Sequence, residues 1–157
     1  MKTAKFLNAG FTISELLVVM AIAVILWTLA SITFIRPQEK VNLDSVVTTM
    51  VSDMKSQQTK AMSGEAASDY GIHFETHRYI LFTGSTYNSL DSNNYEVKVD
   101  LPLQIINITL STPNLIFQKG SGEVTVVVGQ DGFTIQNSAG GASTNLVINK
   151  YGAINQN

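Results

Sequence analysis

The carboxylate of Glu15 stands at the start of the longest uncharged, apolar stretch of this chain. The next 20 residues, Leu16 to Ile35, contain no Asp, Glu, Lys or Arg. A carboxylate beside such a stretch is costly to bury and usually has a partner. The position of Glu15 therefore indicates that its carboxylate pairs with a positively charged group.

Metal binding is the other chemistry that the residue types suggest. The segment HFETH, His73 to His77, holds two histidines four residues apart. That spacing converges on one ion in a helix, but these residues lie in a predicted hairpin, where solvated or cross-strand side chains are expected. Asp91, Asn93 and Asp100 could hold calcium, although the EF-hand spacing and its bidentate Glu are missing. Neither candidate is therefore predicted to be a metal site. The G-x-S-x-G, Walker A and G-x-G-x-x-G motifs are also missing, so no catalytic residue and no cofactor are predicted.

The element that would position Glu15 is the apolar stretch itself. A helix of that length rises about 30 Å, which is enough to cross the hydrocarbon core of a membrane. Trp27 and Arg36 lie toward its far end, where aromatic and basic groups favour the interface. Lys2 and Lys5 precede it, which predicts that the N-terminus stays in the cytoplasm.

Three interpretations of this segment compete. A secretory signal needs a cleavage site after the apolar stretch, where Ser31 is a weak candidate and no A-x-A pattern occurs. A plain membrane anchor explains the length but leaves Glu15 unexplained. The third interpretation explains the carboxylate, because AGFTISELLVV, residues 9–19, resembles the class III signal of type IV prepilins and type II secretion pseudopilins.

This resemblance implies roles for individual residues. In that family a basic leader ends in Gly, a membrane peptidase cuts after it and methylates the new amine, and the fifth mature residue is acidic. Gly10 is then the last leader residue, Phe11 the N-methylated mature N-terminus, and Glu15 the fifth mature residue. Ser14 departs from the family, which more often has an apolar residue there.

Cleavage after Gly10 would create an ammonium group four residues from Glu15. A paired charge is tolerable in the membrane where an isolated one is costly, so pairing between subunits becomes a docking and register device. The resemblance implies that Glu15 meets the Phe11 amine of an adjacent subunit during assembly.

Beyond the apolar stretch, residues 37–62 show a second helical pattern. Its apolar side chains recur at spacings of four, three, four and seven: Leu43, Val47, Met50, Met54 and Ala61. This amphipathic face is expected to pack on a sheet of the same chain. Pro37 predicts a kink or local unwinding, and Gly64 predicts the helix end.

The remaining chain has the composition of strands and tight turns. A hairpin is predicted from residues 70–75 and 79–83, with further strands at 95–99, 103–110, 115–119, 123–128, 133–136 and 146–150. Strand spacing of about ten residues predicts an antiparallel, meander-like sheet or a small sandwich. With the preceding helix, the fold class is α+β.

The order of strands and turns resembles the GspH/FimT group of minor pseudopilins and pilins. The anchoring segments are Leu101-Pro102, Leu115 to Phe117 and Leu146 to Ile154. The resemblance implies the type IV pilin fold, in which a long N-terminal helix packs on the sheet. It divides the chain into a cleaved leader (1–10), a transmembrane helix half (11–36), an amphipathic helix half (37–64) and a β-rich head (65–157).

The implied function is structural: a minor pilin or pseudopilin of a type II secretion pseudopilus or a type IV pilus. The helix would span the inner membrane once, and the head would lie in the periplasm or outside the cell. The implied partners are the prepilin peptidase, other pilin or pseudopilin subunits, the assembly platform protein and, before assembly, membrane lipid.

Charge distinguishes this function from its main alternative, a DNA-binding minor pilin of a competence pilus. Without Lys2 and Lys5 the chain has 8 basic and 12 acidic side chains, and its tail KYGAINQN offers one Lys. Phosphate contacts need clustered Lys or Arg, so nucleic acid is not an expected partner. An anchored enzyme is the third class, but no catalytic pocket can be derived from the sequence.

Overall fold

The computed structural model describes residues 12–127, 129 and 131–157, and it describes no side chains of residues 30–41. One long helix precedes a β-rich region, and a 3-10 turn at Glu65–Ala67 joins them. The elements are α1 (Ile13–Ser63), β1 (Tyr70–Glu75), β2 (Arg78–Thr83), β3 (Tyr95–Lys98), β4 (Leu103–Ile106), β5 (Asn114–Phe117), β6 (Gly132–Asn137), β7 (Ser143–Ile148) and β8 (Ile154–Gln156).

The chain consists of two compact units, and the boundary between them lies in α1, between Gln38 and Glu39. In the first unit, the described residues form the beginning of α1, and no charged residue occurs from Leu16 to Ile35. The second unit, called the head from here on, contains the rest of α1 and all the strands.

The part of α1 in the head buries the predicted apolar face. Its five stripe residues are at most 3% exposed: Leu43, Val47, Met50, Met54 and Ala61. The seven-residue gap in this stripe is filled by Gln57, which is 4% exposed and whose Oε1 accepts no hydrogen bond within the described chain. The helix ends at Ser63 as predicted, because Gly64 has a φ of 72° in the left-handed region.

The strands form two antiparallel sheets of four strands each. The first sheet has the order β3-β2-β1-β5, and the second has the order β4-β6-β7-β8. The β1–β2 turn contacts the second sheet, because the Ile105 N–H of β4 donates to the Thr76 carbonyl (2.8 Å).

A single hydrophobic core lies between α1 and the two sheets. Phe74 of the first sheet and Phe133 of the second have ring centroids 4.4 Å apart, at an angle of 37°. Both rings are almost fully buried together with the helix stripe. The α+β prediction is confirmed, and of the two predicted sheet arrangements the two-sheet one is present.

Strand bounds differ from the predictions where the backbone turns. The predicted strand 103–110 ends at Ile106, because Asn107 has a φ of 49° and cannot continue an extended chain. Among its described residues, the predicted strand 123–128 shows isolated bridge positions rather than a strand, at Val124, which bridges to Phe117, and at Val127. Sequence patterns did not predict β8, because its three residues are too few to show an alternating pattern.

Candidate functional site

The start of α1 is built around Thr12 and Glu15. The Glu15 N–H donates to the Thr12 hydroxyl (3.3 Å), and the Thr12 N–H lies 3.5 Å from Glu15 Oε2. This reciprocal arrangement is a capping box, which satisfies two of the N–H groups that a helix leaves unpaired at its start. Glu15 therefore has a local role within its own chain.

The capping box is a site feature that the sequence analysis did not identify. Its signal was present, because Thr12-Ile-Ser-Glu15 before an apolar run matches the S/T-x-x-E pattern. A carboxylate at this position also faces the positive end of the helix dipole. Both contacts involve groups that would remain in the chain if it were cleaved between Gly10 and Phe11 as predicted.

The segment that follows Glu15 exposes its apolar side chains on all sides. From Ile13 to Leu29, the described large apolar side chains are 52–82% exposed. The Thr28 hydroxyl donates to the Ile25 carbonyl (2.8 Å), so this polar group is satisfied within the helix. Within the described residues, no helix meets the length and hydropathy required of a membrane span.

Three of the predicted site residues fall outside what the structure describes. Gly10 and Phe11, the predicted cleavage and methylation site, precede the first described residue. Pro37 lies in α1 among residues whose side chains are not described. Cleavage, methylation and the kink at Pro37 therefore stay predictions, as does the division of the chain into four segments.

In the head, the ring nitrogens and the ring face of His73 contact neighbouring side chains, which leaves little room for a metal ion. Its Nδ1–H donates to Asn114 Oδ1 (2.6 Å), and its ring stacks on Tyr87 with centroids 4.0 Å apart. Its Nε2 lies 3.7 Å from Glu75 Oε1. These contacts hold the imidazole against the outer face of the first sheet.

The Glu75 carboxylate belongs to an ion-pair cluster at the edge of that sheet. Arg78 donates to both Glu75 oxygens, at 2.6 and 3.1 Å, and to Glu96 Oε2 at 2.9 Å. The hydrogen bond and charge of Glu75 raise the pKa of the Arg78 guanidinium. Because this cluster is exposed, it contributes little to stability.

In the polar loop after β2, the Asp91 carboxylate likewise has hydrogen-bond partners within the loop. Asp91 Oδ1 accepts hydrogen bonds from the Asn93 N–H (2.9 Å) and from the Asn93 amide (3.0 Å). Such Asx turns shape a loop without a bound ion. No group of three or more His, Asp or Glu residues in the described part of the chain could hold a metal ion.

A hydrogen bond between side chains connects α1 to the first sheet. The buried Tyr79 hydroxyl donates to Asp53 Oδ2 across the helix–sheet interface (2.6 Å). Burial and the neighbouring Asp53 raise the pKa of Tyr79, so the phenol stays protonated. Sequence analysis could not pair these two residues, because they are 26 positions apart and lie in different elements.

The tail has one basic residue, Lys150, and its ammonium group lies 4.7 Å from the centroid of the Tyr151 ring. In this cation–π contact, the Lys150 charge interacts with a ring of its own chain. Nothing in the described tail adds a second cation beside it.

Comparison with known proteins identifies the architecture. No protein-family model matches the chain, and no curated protein does. Among solved structures, the minor pseudopilin EpsH from the type 2 secretion system of Vibrio cholerae matches with a TM-score of 0.52 and 16% sequence identity. The match covers 74% of this chain and 96% of the EpsH chain. With its long N-terminal helix packed on two antiparallel sheets, the protein has the fold of a pseudopilin.

Proposed function

We propose that the protein is a minor pilin or pseudopilin, a structural subunit that enters a pilus-like filament through α1. The observation that carries this proposal is the exposure of every described large apolar side chain between Ile13 and Leu29. An apolar area of this extent marks a surface that lipid or protein covers. The fold shared with a minor pseudopilin supports the same function.

The N-terminal half of α1 is proposed to lie in the inner membrane before assembly and among other subunits afterwards. The predicted span, residues 16–35, would be covered by lipid first and by neighbouring helices later. The head would remain on the far side of the membrane. Prepilin peptidase, the assembly platform protein and other subunits are the proposed partners.

Glu15 is proposed to act twice. In the free subunit its carboxylate accepts the Thr12 N–H within the capping box. During assembly it would pair with the Phe11 ammonium group of a neighbouring subunit, which removes the cost of an isolated charge. The two roles are compatible, because a carboxylate has two oxygens and accepts several hydrogen bonds.

The proposed maturation is tested by mass spectrometry of the chain purified from membranes. The expected product begins at Phe11 and carries one methyl group on its amine. A chain that begins at Met1, or after Ser31, would contradict the proposal.

The proposed pairing is tested by comparing Glu15→Leu with Glu15→Gln in a filament assembly assay at equal membrane levels. Glutamine keeps an acceptor for the capping box but has no charge. If charge pairing drives assembly, both variants enter filaments much less than wild type. If Glu15→Gln assembles normally and Glu15→Leu does not, Glu15 serves as a helix cap only and the pairing is wrong.

A further inference from the structure

The last turns of α1 contact two turns that come from distant parts of the chain. The side-chain amide of Gln58 donates through Nε2 to the Gly122 carbonyl (3.0 Å) and to the Tyr151 carbonyl (2.7 Å). The first carbonyl belongs to the turn after β5 and the second to the turn between β7 and β8. One helix side chain thus binds two turns that are 29 residues apart.

Two glycines allow these turns to approach the helix so closely. A Cβ at Gly152 would lie 2.3 Å from Gln58 Nε2, and a Cβ at Gly122 would lie 2.5 Å from Met62 Cγ. Both glycines also have a positive φ, 74° and 66°, which other residues adopt at a cost. The backbone is therefore shaped around the Gln58 side chain at both turns.

Further backbone contacts hold the same junction together. The Gly120 N–H donates to the Ala61 carbonyl (2.9 Å), so the turn after β5 pairs one of the carbonyls at the end of α1. The Val124 N–H donates to the Lys150 carbonyl (2.8 Å), which links the two turns to each other.

We propose that the Gln58 amide, together with the Gly122 and Tyr151 carbonyls that accept its hydrogen bonds, forms a clasp that transmits axial force between α1 and the sheets. The inference rests on the proposed function, since a subunit that enters a filament through α1 must move its head when the helix is displaced. The stripe of Leu and Met side chains resists separation but is non-directional. Hydrogen bonds are directional, so the clasp opposes sliding of the helix along its own axis.

The position of the clasp fits this role. It binds α1 near its C-terminal end, whereas the proposed membrane and filament contacts lie at the other end. Because Gln58 binds both turns through one amide, a displacement of the helix loads both hydrogen bonds together. Force then reaches the second sheet through the turn at Tyr151 and the first sheet through the turn after β5.

The test is single-molecule pulling on the full-length chain in detergent. The chain has no cysteine, so Asn42→Cys and Ser143→Cys provide the two attachment points, on α1 and on β7. Lifetimes under constant force report the rate of forced unfolding. Removal of both hydrogen bonds by Gln58→Leu is expected to shorten the lifetime by roughly tenfold to thirtyfold.

Gln118→Leu is the matched control, because Gln118 lies in the same turn and its amide makes one long contact, 3.4 Å to Thr125. Its lifetime is expected to stay within about twofold of wild type. Near-ultraviolet circular dichroism confirms that each variant is folded before pulling. An unchanged lifetime for folded Gln58→Leu, or an equal shortening by Gln118→Leu, would overturn the proposal.

Gln58→Glu keeps the shape of the side chain and gives a second, independent test. At pH 7 its carboxylate has no proton to donate to the two carbonyls, so its lifetime should fall at least as far as that of Gln58→Leu. At pH 4 the protonated carboxyl donates once, and its lifetime relative to wild type at the same pH should recover in part. Absence of that recovery would contradict a donor role for residue 58.

These measurements do not depend on assembly, so the two proposals can fail separately. If Gln58→Leu weakens the clasp but Glu15→Leu assembles normally, the clasp stands and the proposed pairing falls. If Glu15→Leu blocks assembly but Gln58→Leu leaves the lifetime unchanged, the filament function stands and the clasp falls.

Discussion

The two halves of α1 differ in apolar content and in the exposure of their apolar side chains. In the head, the stripe from Leu43 to Ala61 is at most 3% exposed, because both sheets pack on it. Between Ile13 and Leu29, the large apolar side chains are 52–82% exposed. The patterns differ as well, since the head half is amphipathic and the other half is apolar on every side.

This difference shows where each half obtains its stabilising contacts. The head half buries one face within its own chain and presents Lys, Asp, Ser and Thr to solvent on the other. In the other half, the described large apolar side chains from Ile13 to Leu29 are exposed, and lipid or neighbouring subunits are their proposed covering.

The largest difference between the halves is expected when a methionine of each is replaced by alanine and the free energy of unfolding is measured. Met54→Ala removes a fully buried side chain from the head and should lower the free energy of unfolding by about 2–5 kcal/mol. Met20→Ala, at a position that is 61% exposed, should change it by less than about 0.5 kcal/mol. Guanidinium unfolding of the full-length chain in detergent, followed by near-ultraviolet circular dichroism, measures both. Equal effects would show that the two halves do not differ as described.

A charge introduced into each half tests what covers the exposed one. Val24→Arg places a cation in the apolar half and should reduce membrane retention, by about 2.5–3.5 kcal/mol of insertion free energy. Thr48→Arg lies on the exposed face in the head and should leave retention unchanged. Alkaline carbonate extraction of membranes compares the two variants. Full retention of Val24→Arg would argue against lipid as the covering of this half.

The polar contacts of the head half should contribute a smaller amount. Tyr79→Phe removes the donor to Asp53 and should cost about 1.5–3 kcal/mol, because the acceptor is charged and partly buried. Tyr95→Phe changes an exposed hydroxyl and is the control. Chemical denaturation at neutral pH measures both variants, and a loss below about 0.5 kcal/mol for Tyr79→Phe would contradict the assigned role.

The same tyrosine predicts a loss of stability at high pH. Burial raises the pKa of Tyr79 above its ordinary value of 10.0, so above that pH the unfolded chain releases a proton that the folded chain retains. The contribution of Tyr79 is complete below pH 10 and falls as pH rises further, by about 1.4 kcal/mol per pH unit. Melting temperatures of wild type and Tyr79→Phe, measured from pH 8 to 11, should show a shallower alkaline decline in the variant.

The smallest expected effect lies at the start of the exposed half. Thr12→Ala removes the hydroxyl that accepts the Glu15 N–H and should weaken the first helical turn by about 1 kcal/mol. Ser14→Ala is the control, since its hydroxyl contacts only the Thr12 hydroxyl among the described polar groups. Amide hydrogen exchange at residue 15 in micelles should be about fivefold faster in Thr12→Ala, and an unchanged rate would contradict the capping box.

Much of the fold was predictable from patterns of neighbouring residues. The buried stripe of α1, its end at Gly64, and the strands β1, β2, β3 and β6 follow from periodicity and turn residues, which act over short distances. The strand that stops at Asn107 and the three-residue strand β8 were not predictable, because their bounds depend on contacts with chain segments far away in sequence.

Among the site residues, too, some were predictable from local patterns and others were not. A sequence pattern indicated Glu15 as a special residue, and Thr12 could have been recognised with it because a capping box spans four residues. Gln58 illustrates the opposite case. Helical periodicity places its neighbour Gln57 on the buried stripe between Met54 and Ala61, but no local pattern indicates that Gln58 binds two distant turns.

By itself, the sequence determined that the chain has one long helix with an apolar half and an amphipathic half, followed by antiparallel strands. Local geometry suffices for this, because side-chain periodicity follows directly from the helix and strand backbone. Only the tertiary structure decided that the strands form two sheets, that Tyr79 contacts Asp53, and that Gln58 closes a junction with Gly122 and Tyr151. Those outcomes depend on the packing of elements that are distant in the chain, and non-directional burial of apolar surface does not specify which polar groups will meet.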